Sequence, residues 1–72
     1  MKKIFVTRNW HVEAVKLLEN YFEVIVWNKK SIPTEDEIIE YSKDCFGLFT
    51  EFDDKITEKI VNSSTQLKII SN

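Results

Sequence analysis

The stretch Lys3-Ile4-Phe5-Val6-Thr7-Arg8-Asn9 decides the reading of the whole chain. Three apolar positions, Ile4 to Val6, run together and stop at polar Thr7-Arg8-Asn9. An amphipathic helical pattern follows at once. A short apolar run of this kind, feeding a helix, reads as a buried parallel strand and its crossover. Three more such units follow.

Working outward, residues 12–22 place Ala14, Val15, Leu18, Tyr21 and Phe22 on one face, with Leu17 widening it. Glu13, Lys16, Glu19 and Asn20 fall opposite, which predicts a helix of about three turns with Asn9 as N-cap. Glu23-Val24-Ile25-Val26-Trp27 is the second strand. Thr34-Glu35-Asp36-Glu37 is a capping box, in which hydroxyl and carboxylate each take the other residue's backbone N–H. Its helix runs to about Asp44, with Pro33 and Ile38 as a staple. It buries Ile38, Tyr41 or Ile39, and Cys45 near its end. Phe46-Gly47-Leu48-Phe49-Thr50 is a third strand, apolar enough to be covered on both faces. Thr57 caps a short third helix with an Ile56–Val61 staple, and Leu67-Lys68-Ile69-Ile70-Ser71 is the fourth strand.

The order βαβαβαβ calls for an α/β parallel sheet with right-handed crossovers. The expected arrangement is a flavodoxin-like, three-layer open sheet of strand order 2-1-3-4, incomplete at 72 residues; the competing order is 1-2-3-4. That length allows one domain, residues 1–72. Cys45 is the only cysteine, so no disulfide assists a core that at this size rarely supplies more than ~3–5 kcal/mol. The net charge of −2 gives no general attraction to nucleic acid or anionic membrane. No apolar run reaches the ~20 residues of a membrane span. Met1-Lys2-Lys3 precedes no long apolar run, so no signal peptide is expected, and the default compartment is cytoplasmic.

In open α/β sheets, ligands bind beyond the carboxyl ends of the strands, where the first and third strands diverge. Here those ends are Thr7 to His11 and Thr50 to Asp53. His11 can act as acid or base there, but an imidazole at a helix start more often faces water. Arg8 can hold an anion or pair with a nearby carboxylate. Glu51, Asp53 and Asp54 read as a solvated acidic loop rather than a cation site. One His and one Cys exclude zinc. Asp44 beside Cys45 raises the thiol pKa and argues against a nucleophile. Lys29-Lys30 is too short a basic run for nucleic acid. A single glycine, Gly47, leaves no glycine-rich phosphate loop in the chain. A phosphoreceiver needs an acidic pair after the first strand and an Asp ending the third; Arg8-Asn9 and Thr50 occupy those places.

Several of these segments together resemble the opening of the D-isomer-specific 2-hydroxyacid dehydrogenases, in the glyoxylate and hydroxypyruvate reductase branch. They are Lys3 to Arg8, Glu13 to Leu18 leading to Phe22-Glu23-Val24, Ile32-Pro33, Gly47 to Thr50, and Leu67 to Asn72. The resemblance runs in order along the whole chain. It implies part of a flavodoxin-like substrate domain. In the family a Rossmann domain follows, with the NAD or NADP site and the catalytic Arg, Glu and His. It implies no catalytic residue and no bound cofactor in these residues, since His11 does not match the family's histidine. Substrate contacts would fall on Thr50, Glu51, Phe52 and Asn72. The family commonly has an apolar residue where Glu51 stands. In the family, the segment like Ile69 to Asn72 leads into a glycine-containing loop that holds the substrate carboxylate.

The chain is therefore expected to be an inactive amino-terminal fragment of a dehydrogenase acting on a small 2-oxoacid. The alternative is a free-standing flavodoxin-like binding or interaction module. The expected partners are the remainder of the parent enzyme or a second copy in a homodimer, with no nucleic acid and no membrane. Uncovered apolar side chains such as Phe49 or Ile70 on the last two strands motivate the dimer.

Overall fold

The computed structural model describes residues 1–9, 12–51, 54, 56–63 and 69–71. The elements follow in the order β1 (Lys3–Val6), α1 (Val12–Leu18), β2 (Glu23–Val26), α2 (Glu35–Ser42), β3 (Gly47–Phe49), α3 (Glu58–Asn62) and β4 (Ile69–Ser71). All strand pairs are parallel, and the sheet order is β2-β1-β3-β4. Two strands flank β1, so its backbone is bonded on both sides. Beyond the strand ends, Trp27 N–H donates to Val6 O at 2.8 Å and Thr7 N–H to Phe49 O at 3.0 Å.

Register assigns the faces. Phe5 lies between Ile25 and Leu48, and Leu48 pairs with Ile70. Register partners in a parallel sheet point the same way. Phe5 and Leu48 form the buried core with Trp27, Ile38, Cys45 and Ile60, so this is the face under α2 and α3. Trp27 and Tyr41 meet edge-on at 5.2 Å, and the Trp27 indole N–H donates to Ser31 O at 2.7 Å, satisfying the ring's polar atom. On the opposite face lie Ile4 and Val6, buried, in register with half-buried Val24 and Val26. There Phe22, just past α1, stacks on Phe46 at 6.3 Å.

The helices differ from the sequence expectation in instructive ways. α1 ends at Leu18 rather than Phe22, and Tyr21 and Phe22 donate their N–H groups back to Leu18 O in a turn. Only Val15 and Leu18 are half-buried along the helix. Leu17 and Tyr21 remain 67% and 73% exposed, and Ala14 is exposed as well. One helix of seven residues cannot turn so broad an apolar arc onto one sheet. α1 is described from Val12, and the expected Asn9 cap turns on Trp10 and His11, which lie outside the described residues. α2 ends at Ser42, whose buried hydroxyl donates to Ile38 O at 2.6 Å. In α3 the buried side chain is Ile60. Val61 is exposed and Ile56 packs on the core, so the expected Ile56–Val61 staple gives way to separate roles. Leu67 and Lys68 lie outside the described residues.

Two caps fix the helix starts. Thr34 accepts from Glu37 N–H at 3.2 Å while the Glu37 carboxylate accepts from Thr34 N–H at 2.9 Å. Thr57 accepts from Ile60 N–H and donates its own proton to the Glu35 carboxylate at 2.5 Å, tying the starts of α2 and α3 together. Lys59 adds exposed contacts to Glu35 and Asp36.

Replacing Thr34 by Ala is expected to cost about 1 kcal/mol, the usual loss for an N-cap. Glu37→Ala is expected to cost less, and the double variant less than the sum, because both bonds belong to one box. Denaturant midpoints measure all three; additive losses would argue that the two bonds act independently.

Candidate functional site

β1 and β3 end side by side, and the two segments that leave them meet over a single carboxylate. Asp54 has a side chain with no exposed surface. Its Oδ2 accepts the Thr7 hydroxyl proton at 2.5 Å and the Glu51 backbone N–H at 2.9 Å. Its Oδ1 lies 2.9 Å from Arg8 Nη2. That last contact is an ion pair without good hydrogen-bond direction, since Oδ1 has no partner of hydrogen-bond geometry. Arg8 is itself 90% buried and donates through Nη1 to Thr7 O at 2.7 Å. Asp54 N–H closes a turn onto Glu51 O at 2.9 Å. Cation, hydroxyl and amide thus converge on one dry anion, the arrangement that makes a buried charge tolerable.

This corrects the reading of residues 51–54 as a uniformly solvated acidic loop. Asp54 is the buried partner of Arg8, and the pairing foreseen for Arg8 is the one it makes. The three acids looked alike in sequence. What distinguished Asp54 was its three-residue spacing from Glu51, which lets a carboxylate close a turn on the Glu51 N–H.

Of the substrate-contact candidates, Thr50 is buried at the end of β3 and Glu51 is half-buried beside it, both at the point where β1 and β3 diverge. Phe52 and Asn72 lie outside the described residues, as do His11 and Asp53. Among the described residues, no group of three or more His, Cys, Asp and Glu side chains converges to hold a metal ion. Cys45 is buried and its thiol pKa is pushed up, chiefly by desolvation, with Lys3 opposing and Asp44 adding to the rise. Burial therefore outweighs the Asp44 effect inferred from sequence. Among the described residues, no helix is long and apolar enough to cross a membrane.

A separate cleft of about 460 Å³ opens one strand away, beyond the carboxyl ends of β1 and β2. Sequence reasoning had looked only to the β1/β3 side.

The chain matches no family model. Among curated proteins it is 29% identical over 69 residues to a glyoxylate reductase of Aeropyrum pernix, covering 96% of this chain and 21% of that protein. A glyoxylate reductase of Pyrococcus horikoshii is 32% identical over 71 residues, covering 97% and 21%. The sequence is related to the 2-hydroxyacid dehydrogenases along its whole length. A Staphylococcus aureus protein carrying the name 2-hydroxyacid dehydrogenase matches all 72 residues at 28% identity, with 23% of its own length covered. The chain spans about a fifth of the length of the curated relatives it matches. The match is consistent with the amino-terminal segment of that family.

Asp54→Ala is expected to cost about 3–5 kcal/mol, because it strands a buried guanidinium. That equals the whole stability of many cores this small, so the variant should be largely unfolded by circular dichroism at 25 °C. The paired Arg8→Met/Asp54→Leu variant should regain part of the loss. An Asp54→Ala protein that melts cooperatively near the parent temperature would show that the ion pair is not structural.

Proposed function

We propose that these 72 residues form the first part of the substrate domain of an NAD(P)-dependent 2-hydroxyacid dehydrogenase that reduces a small 2-oxoacid such as glyoxylate or hydroxypyruvate. The observation that carries this reading is the alignment to glyoxylate reductases over 96–97% of the chain. The parallel sheet with β1 internal supports it, as does the hydrogen bond from Glu51 N–H to the Asp54 carboxylate just past β3. In this reading the fold is the flavodoxin-like sheet of that domain, still lacking elements beyond β4. A nucleotide-binding domain and the catalytic Arg, Glu and His come from outside residues 1–72. The enzyme is cytoplasmic.

Thr50, Glu51, Phe52 and Asn72 are the proposed substrate-side residues. The Asp54 clamp holds the backbone of Glu51 at the divergence of β1 and β3, so substrate contacts there are made by a positioned turn. A carboxylate at position 51 disfavours a small anion nearby. It therefore points to a substrate carrying a hydroxyl or amine on that side, or to a weaker KM for glyoxylate.

Hydride transfer requires the nicotinamide to be held against the carbonyl by protein groups. The chain alone is therefore expected to show no glyoxylate- or hydroxypyruvate-dependent oxidation of NADH or NADPH. A chimera is the decisive test: this chain replaces the matching segment of the Pyrococcus horikoshii glyoxylate reductase. It should reduce glyoxylate, and Glu51→Leu in the chimera should lower KM for glyoxylate. A folded chimera without activity would sink the proposal.

The 72-residue chain on its own is also proposed to self-associate, most simply as a twofold dimer. β4 is an edge strand, and Ile70 is 39% exposed on the core-side face by its register with Leu48. Light scattering over a concentration series should show the rise in mass; a monomer at every concentration would argue against it.

A further inference from the structure

We infer that the flank of α1 carrying Ala14, Leu17 and Tyr21 is the docking surface for a second helix, supplied by the parent chain outside residues 1–72 and laid beside α1 over β3 and β4. The inference rests on the dehydrogenase reading for the source of that helix, since the chain spans about a fifth of the length of its relatives.

β1 and β2 are parallel, so α1 returns antiparallel to both, and a right-handed crossover lays it over that pair. Val15, Leu18 and Phe22, all half-buried, mark the side turned to the sheet. At about 3.6 residues per turn, Ala14, Leu17 and Tyr21 fall roughly a quarter-turn away. The winding of a right-handed helix puts them on the side of β3, not of the β2 edge. Phe22 leans the same way, stacking on Phe46 just before β3. All three flank residues are exposed. The opposite flank, towards the sheet edge, carries Lys16 and Glu19, with Val12 at the helix start. An apolar flank towards the middle of the sheet and a charged one towards its edge is the pattern of a helix with one neighbour.

The floor beside that flank is apolar too. Phe49 shares the α1 face by its register with Val6 and is half-buried. Its ring lies back over Gly47, where an added Cβ would stand 3.7 Å from Phe49 Cε1. The width fits one helix. Two strand spacings of about 4.8 Å lead from above β2–β1 to above β3–β4, close to the roughly 8–10 Å between packed helices. A second copy of the chain would have to lower the outer surface of its own α1 into this trough. Glu13, Lys16 and Asn20 lie on that surface, so a copy is the poorer occupant.

The test is thiol labelling of Leu17→Cys in the isolated chain and in the Pyrococcus horikoshii chimera, read by mass spectrometry of the α1 peptide. Position 17 should react roughly tenfold more slowly in the chimera, because a covered thiol reacts only through local opening. Lys16→Cys, on the other flank, should react equally fast in both. Leu17→Gln/Tyr21→Gln should lower the melting temperature of the chimera by about 5 °C. The same pair should leave the denaturant midpoint of the isolated chain unchanged, as exposed substitutions do. An active chimera in which position 17 labels as fast as in the isolated chain would overturn the inference and leave the dehydrogenase reading standing. Protection of position 17 in a folded but inactive chimera would do the reverse. Light scattering of the isolated chain needs no chimera. Self-association that survives Leu17→Gln/Tyr21→Gln supports the inference, and self-association abolished by that pair would make a second copy the occupant and overturn it.

Discussion

A single desolvated carboxylate governs how this small sheet is finished. Asp54 reaches from the segment after β3 to the end of β1, where Arg8 and Thr7 receive it. Without a counter-charge, an ionised carboxylate in that position would cost several kcal/mol. With Arg8, Thr7 and the Glu51 amide all directed at it, the same group becomes a cross-link between two neighbouring strand ends. The chain has no disulfide, and covalent closure is replaced here by charge. One anion also serves two regions. On the β3 side it shapes the turn through Glu51, and on the β1 side it immobilises the guanidinium that floors the adjacent cleft.

The two faces of the sheet are unequally finished. α2 and α3 share a dry core of Phe5, Trp27, Ile38, Cys45, Leu48 and Ile60, and their starts are joined through Thr57 and Glu35. Among the described elements, α1 is the one helix on the other face, and it buries no side chain fully. The difference follows from connectivity. With β1 inside the sheet, the step to β2 runs one way and the later steps run the other, and right-handed crossovers send their helices to opposite faces.

Much of this was legible in the residues. The parallel α/β alternation came from period and punctuation, and the Thr34–Glu37 box and Thr57 cap are local rules that tertiary contacts did not override. The positions of Thr50 and Glu51 at the end of β3 followed from the strand pattern alone. The misses share a physical cause. Tyr21 and Leu17 satisfy helical periodicity, yet whether an apolar residue is buried depends on what lies opposite it. The spacing of Asp54 from Glu51 was a local signal, but its pairing with Arg8 depended on the adjacency of β1 and β3, which no local spacing encodes. The cleft beyond β2 depends on how the Asn28 to Ile32 segment curls over Trp27, which no spacing rule encodes.

The light attachment of α1 also bears on how the molecule fluctuates. Regions with few fully buried contacts open at free energies well below the global one. α1 rests on two half-buried side chains, Val15 and Leu18, whereas α2 is capped and anchored by Ile38. The amides of α1 should therefore exchange with solvent deuterium through sub-global openings that leave β1, β3 and α2 protected. A single exchange free energy shared by α1 and α2 would contradict that hierarchy. Such a division would make the α2–α3 side the cooperative unit of the domain and α1 a detachable cover over Ile4 and Val6.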